Sequence, residues 1–174
     1  VNPLSFSIDG STALTAVFSE FDPSQFPIVI SEIMYHPGTR GGAFSNETEF
    51  VELYNRGGSP LNLKNVTFTD GISLTFPADT IIAGGERLVV VKDLDGVAEH
   101  YDTNVVRVAG IYTGSLANGG EDITLKVTPW GPTIVRLTYN DARGWPLSAD
   151  GAGHSLIPLV QDNQMGGDLM YPGN

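Results

Sequence analysis

The chain has 174 residues, the size of one domain, with 41% hydrophobic and 17% charged residues, 21 glycines and 11 prolines. That profile excludes a coiled coil, a helix bundle and a charged disordered tail, and it favours short strands joined by turns. Asp and Glu number 20 against 9 Lys and Arg, so a net charge of −11 repels phosphate backbones and anionic lipid heads and argues against nucleic acid as a partner. The absence of cysteine excludes a disulfide framework, a thiolate nucleophile and a Cys-based metal centre.

Residues 1–18 alternate: Leu4, Phe6 and Ile8 point one way, Asp9-Gly10-Ser11 makes a turn, and Leu14, Ala16 and Phe18 resume the apolar face. This predicts a hairpin. Val1 opens on that pattern without a basic leader, so the chain reads as part of a longer protein. Two prolines in Asp22-Pro23-Ser24-Gln25-Phe26-Pro27 mark a semi-stiff linker over 22–27, separating a terminal hairpin module at 1–21 from a main body at 28–158. In that body strands are expected at 28–35, 49–55, 63–69, 72–76, 86–92, 104–109, 122–127, 133–139 and 154–157, with Gly-, Asn-, Asp- and Pro-rich turns between them. No segment keeps a 3.6-residue apolar period for three turns, and the nearest helix candidate, 94–100, spans one or two turns. Many short strands with almost no helix predict an all-β fold, a β-sandwich or barrel. Residues 159–174 turn polar and Gly-rich and read as a tail or the start of a next module. The longest apolar runs, such as Leu88-Val89-Val90-Val91, fall far short of the ~20 residues that span a bilayer as a helix, so no membrane insertion is expected.

Period-2 alternation from Glu49 to Asn55 puts Phe50, Glu52 and Tyr54 on one face and Glu49, Val51 and Leu53 on the other. Glu32 stands likewise between Ile30 and Met34, and pairing of the two strands would bring Glu32 and Glu52 together. Two neighbouring carboxylates cap backbone N–H groups, bind a hard cation such as calcium, or share a proton. Structural hydrogen bonding is the first reading, and Glu32 and Glu52 are the candidate metal ligands. Asp93-Leu94-Asp95-Gly96 resembles the opening of a calcium loop but lacks a third oxygen residue and a closing Glu, so it reads as an acidic turn. The glycines of Asn118-Gly119-Gly120-Glu121 and Asp150-Gly151-Ala152-Gly153 serve turns, since no helix follows to cradle a phosphate. Asp150, His154 and Ser155 do not compose a hydrolase site, because adjacent strand residues diverge and no G-x-S-x-G elbow exists. His36 and His100 lack zinc spacing. Trp145-Pro146 reads as a core anchor, with an exposed Trp145 on a sugar- or peptide-binding platform as the sharper alternative. No residue is expected to be catalytic.

Five ordered motifs carry a resemblance. They are Ile30-Ser31-Glu32-Ile33-Met34-Tyr35-His36-Pro37; Glu49-Phe50-Val51-Glu52-Leu53-Tyr54-Asn55; Phe76-Pro77 with Ala83-Gly84-Gly85-Glu86; Leu116-Ala117-Asn118-Gly119-Gly120-Glu121; and Trp145-Pro146 with Asp150-Gly151-Ala152-Gly153-His154-Ser155-Leu156. Over residues 28–158 the chain resembles the bacterial lamin-tail domain, and residues 1–18 are similar to the closing strands of an internalin B-repeat-like surface module. The resemblance implies an immunoglobulin-like β-sandwich without a catalytic set, an accessory module of an exported multidomain protein. Its setting would be extracellular or at the cell surface. Its partners would be neighbouring domains of the parent protein and another protein or a surface polymer. The alternative from a different class is a calcium-dependent or carbohydrate-binding accessory module of a secreted enzyme, which would use Glu32, Glu52 or Trp145.

Overall fold

The computed structural model describes residues 10, 21–22, 25–38, 46–142 and 144–158. Apart from Gly10, the hairpin expected over 1–18 lies outside the described residues, as does the tail from 159. In chain order the strands are β1 (Ile28–Met34), β2 (Phe50–Asn55), β3 (Leu61–Asn62), β4 (Thr67–Asp70), β5 (Ile72–Thr75), β6 (Ile81–Ile82), β7 (Arg87–Val91), β8 (Val108–Ile111), β9 (Thr113–Gly114), β10 (Gly120–Lys126) and β11 (Thr133–Asn140). One short helix, α1 (Leu94–Ala98), lies between β7 and β8.

Apolar alternation along the longer strands gives each sheet one face to bury. A four-stranded sheet runs β1-β2-β7-β8, a five-stranded sheet runs β11-β10-β4-β5-β9, and β3 pairs with β6 as a small ribbon. Ile30, Val51, Leu53, Leu88 and Val90 of the first sheet share one buried core with Phe68, Ile72, Ile123, Leu125, Leu137 and Tyr139 of the second. The architecture is an all-β, immunoglobulin-like sandwich.

Among the described residues all strand pairings but one are antiparallel; β7 and β8 run parallel, so the chain between them must cross back along the sheet. Residues 92–107 make that crossing. Asp93 starts α1, its Oδ1 accepting the Gly96 N–H at 2.8 Å. Val97 then drops onto Met34, Phe50, Val89 and Val91, forming a second, smaller core on the outer face of the first sheet. Tyr101 extends it by meeting Phe50 edge-on, with ring centroids 5.7 Å apart. The outer face is thereby covered on one half only.

The structure departs from strict sequence periodicity in several places, of which the following bear on the expected strands. Between Ile30 and Glu32 the register of β1 shifts, so that Ser31 and Glu32 together oppose Glu52. This bulge sends Ile30 into the main core and Met34 into the outer one, and it puts Glu32 on the outer side with Met34. Residues 63–66 form a turn instead of extending: the Val66 N–H donates to the Leu63 C=O at 2.9 Å, and Asn65 adopts φ 65°, a left-handed conformation that Asn tolerates. Residues 102–106 also turn, because the Asp102 C=O accepts from the N–H groups of Val105 and Val106, and β8 starts only at Val108. The segment at 154–157 contributes a single antiparallel bridge, Leu156 to Ile33. Within the stretch read as a linker, Phe26 packs with Phe21 against the core, their ring centroids 5.9 Å apart.

Asn55 ends β2 fully buried and ties the loop after β2 to the end of β6 and the loop that follows it. Its Nδ2 reaches the carbonyls of Ser59, Ile82 and Ala83 at 2.9, 3.2 and 3.0 Å, while its Oδ1 accepts the Gly57 N–H at 2.9 Å. Where these loops meet, Gly84 lies so close that a Cβ would sit 2.5 Å from the Gly58 carbonyl carbon. Asn55→Ala is expected to lower stability by about 3 kcal/mol, the cost of stranding several buried partners, whereas Asn62→Ala at the exposed ribbon costs less than about 1 kcal/mol. Urea unfolding of the two variants checks the contrast.

Candidate functional site

Where the cover over the first sheet's outer face ends there is an open cleft of about 100 Å³, lined by Glu32, Phe50, Glu52, Val89, Val97, Tyr101 and Val106. Glu32 and Glu52 stand directly opposite each other on β1 and β2. Ser31, the extra residue of the bulge, donates its hydroxyl to Glu52 Oε1 at 2.6 Å. Arg87 Nε approaches the same oxygen at 3.1 Å, and the Arg87 guanidinium lies over the Tyr54 ring, 4.2 Å from its centroid. Glu32 Oε1 accepts instead from the hydroxyl of Ser155. Burial raises the Tyr101 phenol above its ordinary pKa, and the Glu32 charge adds to the rise. The cleft therefore combines apolar walls with two carboxylates, of which Glu52 has a cationic partner and Glu32 a neutral one. Among the described residues no group of three or more His, Cys, Asp and Glu converges as a metal centre would require.

Trp145 is partly buried and packs against the main core. Trp130, which the sequence marked only as part of a turn, is 97% exposed at the tip between β10 and β11. The turn is closed by the Gly131 N–H donating to the Thr128 C=O at 2.9 Å, with Pro129 and Pro132 stiffening it on either side. Nothing in the local composition separates the two tryptophans; burial of Trp145 comes from the fold-back of the chain after β11. Asp150 does not pair with His154. Its Oδ1 lies 2.7 Å from His36 Nδ1, while Ser155 serves Glu32. The loops that carry His36 and Asp150 interlock so tightly that a Cβ on Gly38, at φ 82°, would lie 2.0 Å from the Gly151 carbonyl oxygen. Asp93 caps α1, and Gly120, at φ 99°, turns the chain into β10.

Alternation put Glu49 on the face of Val51 and Leu53, and the structure buries it completely. Its Oε2 accepts the Tyr112 O–H at 3.1 Å and the Leu116 N–H at 2.9 Å, while Oε1 is buried with no hydrogen-bond partner among the described residues. Around it the Tyr139 O–H reaches the Ala117 C=O at 2.7 Å, and Lys92 Nζ donates to the Gly114 C=O and to Ser115 Oγ. Burial pushes the Glu49 carboxyl above its ordinary value of 4.5, against the pull of the Leu116 N–H, the Tyr112 O–H and Lys92. A carboxyl raised in this way binds its proton more tightly folded than unfolded. Its contribution favours the fold below 4.5 and is lost as pH rises through the raised value. Glu49→Gln removes that titration, so in a pH series of urea midpoints the variant is expected to gain on the parent as pH climbs above 4.5. Parallel curves would show that Glu49 does not titrate with folding.

The lamin tail domain family model matches residues 22–141, a span that takes in Phe26, both sheets, the crossover helix and the Glu49 staple. No curated protein and no solved structure matches the chain. The matched span exceeds half the chain and agrees with the two-sheet topology, so the chain belongs to the lamin tail domain family, whose members are structural immunoglobulin-like modules.

Proposed function

We propose that this chain is a non-catalytic module of an exported bacterial multidomain protein, and that it acts by binding another protein at or outside the cell surface. The observation that carries the reading is the cleft on the outer face of the first sheet, an open apolar-walled site with two carboxylates. Elsewhere the polar side chains named above hold loops: Asn55, Glu49, Tyr139 and the His36–Asp150 pair each bridge segments distant in sequence. The exported, bacterial setting is supported by the resemblance of the five motifs to bacterial lamin-tail domains, and the neighbours on the chain would be further domains of the parent.

A photoreactive amino acid placed at exposed Val105, next to cleft-lining Val106, or at exposed Ser73 on the other sheet, tests this reading against surface and secreted fractions of the source organism. A discrete adduct from Val105 and none from Ser73 is expected. Labelling from neither position would leave a spacer without a partner.

The second reading is a calcium-dependent or carbohydrate-binding accessory module. Trp130 favours its carbohydrate form, because a fully presented indole face stacks on a sugar ring. Calcium would have to use Glu32 and Glu52. A ligand that binds only the native state raises the unfolding midpoint by mass action. An unchanged thermal midpoint between EDTA and millimolar calcium is expected; a rise of several degrees would make the carboxylates a metal site.

A further inference from the structure

We propose that the outer-face cleft receives the side chain of a lysine from the partner protein, its ammonium held between Glu32 and Glu52. This rests on the reading of the chain as a binding module and names the chemistry of the partner. Like charges directly opposite across a strand pair destabilise a sheet. Here the bulge at Ser31 creates that opposition, since unbroken alternation would have turned Glu32 to the other face. Arg87 offsets the charge of Glu52, but the partner of Glu32 is the uncharged Ser155 hydroxyl. One negative charge is left facing the cleft, and the net charge of −11 draws cations towards it from a distance.

The shape and donor count select among cations. An ammonium brings three N–H donors, and the cleft offers two carboxylates and the Tyr101 hydroxyl, which lies in the field of Glu32. The aliphatic stem of lysine matches walls made by Val89, Val97 and Val106. A guanidinium is already present on the flank of Glu52, where Arg87 stacks on Tyr54. Calcium takes about six to eight oxygens, and no third acidic or histidine side chain joins the pair among the described residues.

The test titrates the full chain with n-butylammonium, a lysine side chain without its backbone, and in parallel with n-butylguanidinium and calcium chloride at matched ionic strength, followed by amide proton–nitrogen correlation spectra. Saturable shifts confined to Val97, Tyr101, Val106 and their neighbours are expected with butylammonium. Glu32→Gln should weaken them about ten-fold, the worth of one charge-assisted hydrogen bond. Val106→Trp, which fills the cleft, should abolish them, and Asp79→Asn, an exposed carboxylate outside it, should leave them unchanged. Spectra that keep parental positions away from the cleft show that both cleft variants remain folded. Tighter binding of guanidinium or calcium, shifts spread over the acidic surface, or indifference to Glu32→Gln would overturn the lysine assignment. A discrete adduct at Val105 alongside such a failure would retain the binding module and discard only the lysine; absence of both would remove both.

Discussion

A single buried carboxylate fixes where the chain passes from one sheet to the other. After β8 leaves the edge of the first sheet, Tyr112 points inward and β9 joins the edge of the second. Glu49, at the start of β2, holds both sides of that passage by accepting from the Tyr112 hydroxyl and the Leu116 N–H. In a low-dielectric interior such bonds are strong, and an ionised group there is costly unless it is well partnered. Among the described residues Oε1 has no partner, so the partnering there is incomplete. The sandwich thus accepts a local electrostatic cost to set the junction of its two layers, and the ordering of 113–119 by Glu49, Lys92 and Tyr139 follows from it.

The long strands were legible because their alternation is regular. β2, β10 and β11 fall almost where the pattern puts them, and the split of Glu49, Val51 and Leu53 from Phe50, Glu52 and Tyr54 is the split between core and outer face. The two-residue strands β3, β6 and β9 were not legible, since two residues have no period; their positions are set by partners elsewhere in the chain. Val105 and Val106 are strand formers but obey the turn begun at Asp102, whose carbonyl accepts from both of their N–H groups and whose side chain accepts from the Asn104 N–H. At the candidate site the meeting of Glu32 with Glu52 could be read from antiparallel pairing, but its face could not. One inserted residue, Ser31, reverses the side on which Glu32 emerges, and sequence gives no sign of a bulge there. The partners of Glu49 lie 63 and 67 residues away, beyond any local pattern.

The crossover that parallel pairing of β7 and β8 imposes also shapes the outer surface. An antiparallel neighbour would need only a hairpin and would leave the first sheet's outer face flat. Because the chain must travel back, α1 and the turn after it rise over half of that face, and the step between covered and uncovered halves is the cleft. The acidic pair lies at the foot of that step. A topological requirement and a one-residue bulge together supply a concave, charged site on a face that alternation alone would have made a plain apolar and polar stripe.

The bridge between Ile33 and Leu156 has a mechanical consequence. Its strands are antiparallel, so at Pro158 the chain is heading back toward the end of β1 at which Ile28 came in. The two ends of the described body therefore share one edge of one sheet, so the sandwich adds little to the end-to-end reach of the polypeptide that runs through it. Tension applied through those two points would pull the paired segments apart like a zip, loading the Ile33 and Leu156 hydrogen bonds before any others, whereas a module strung end to end would resist in shear across whole strands.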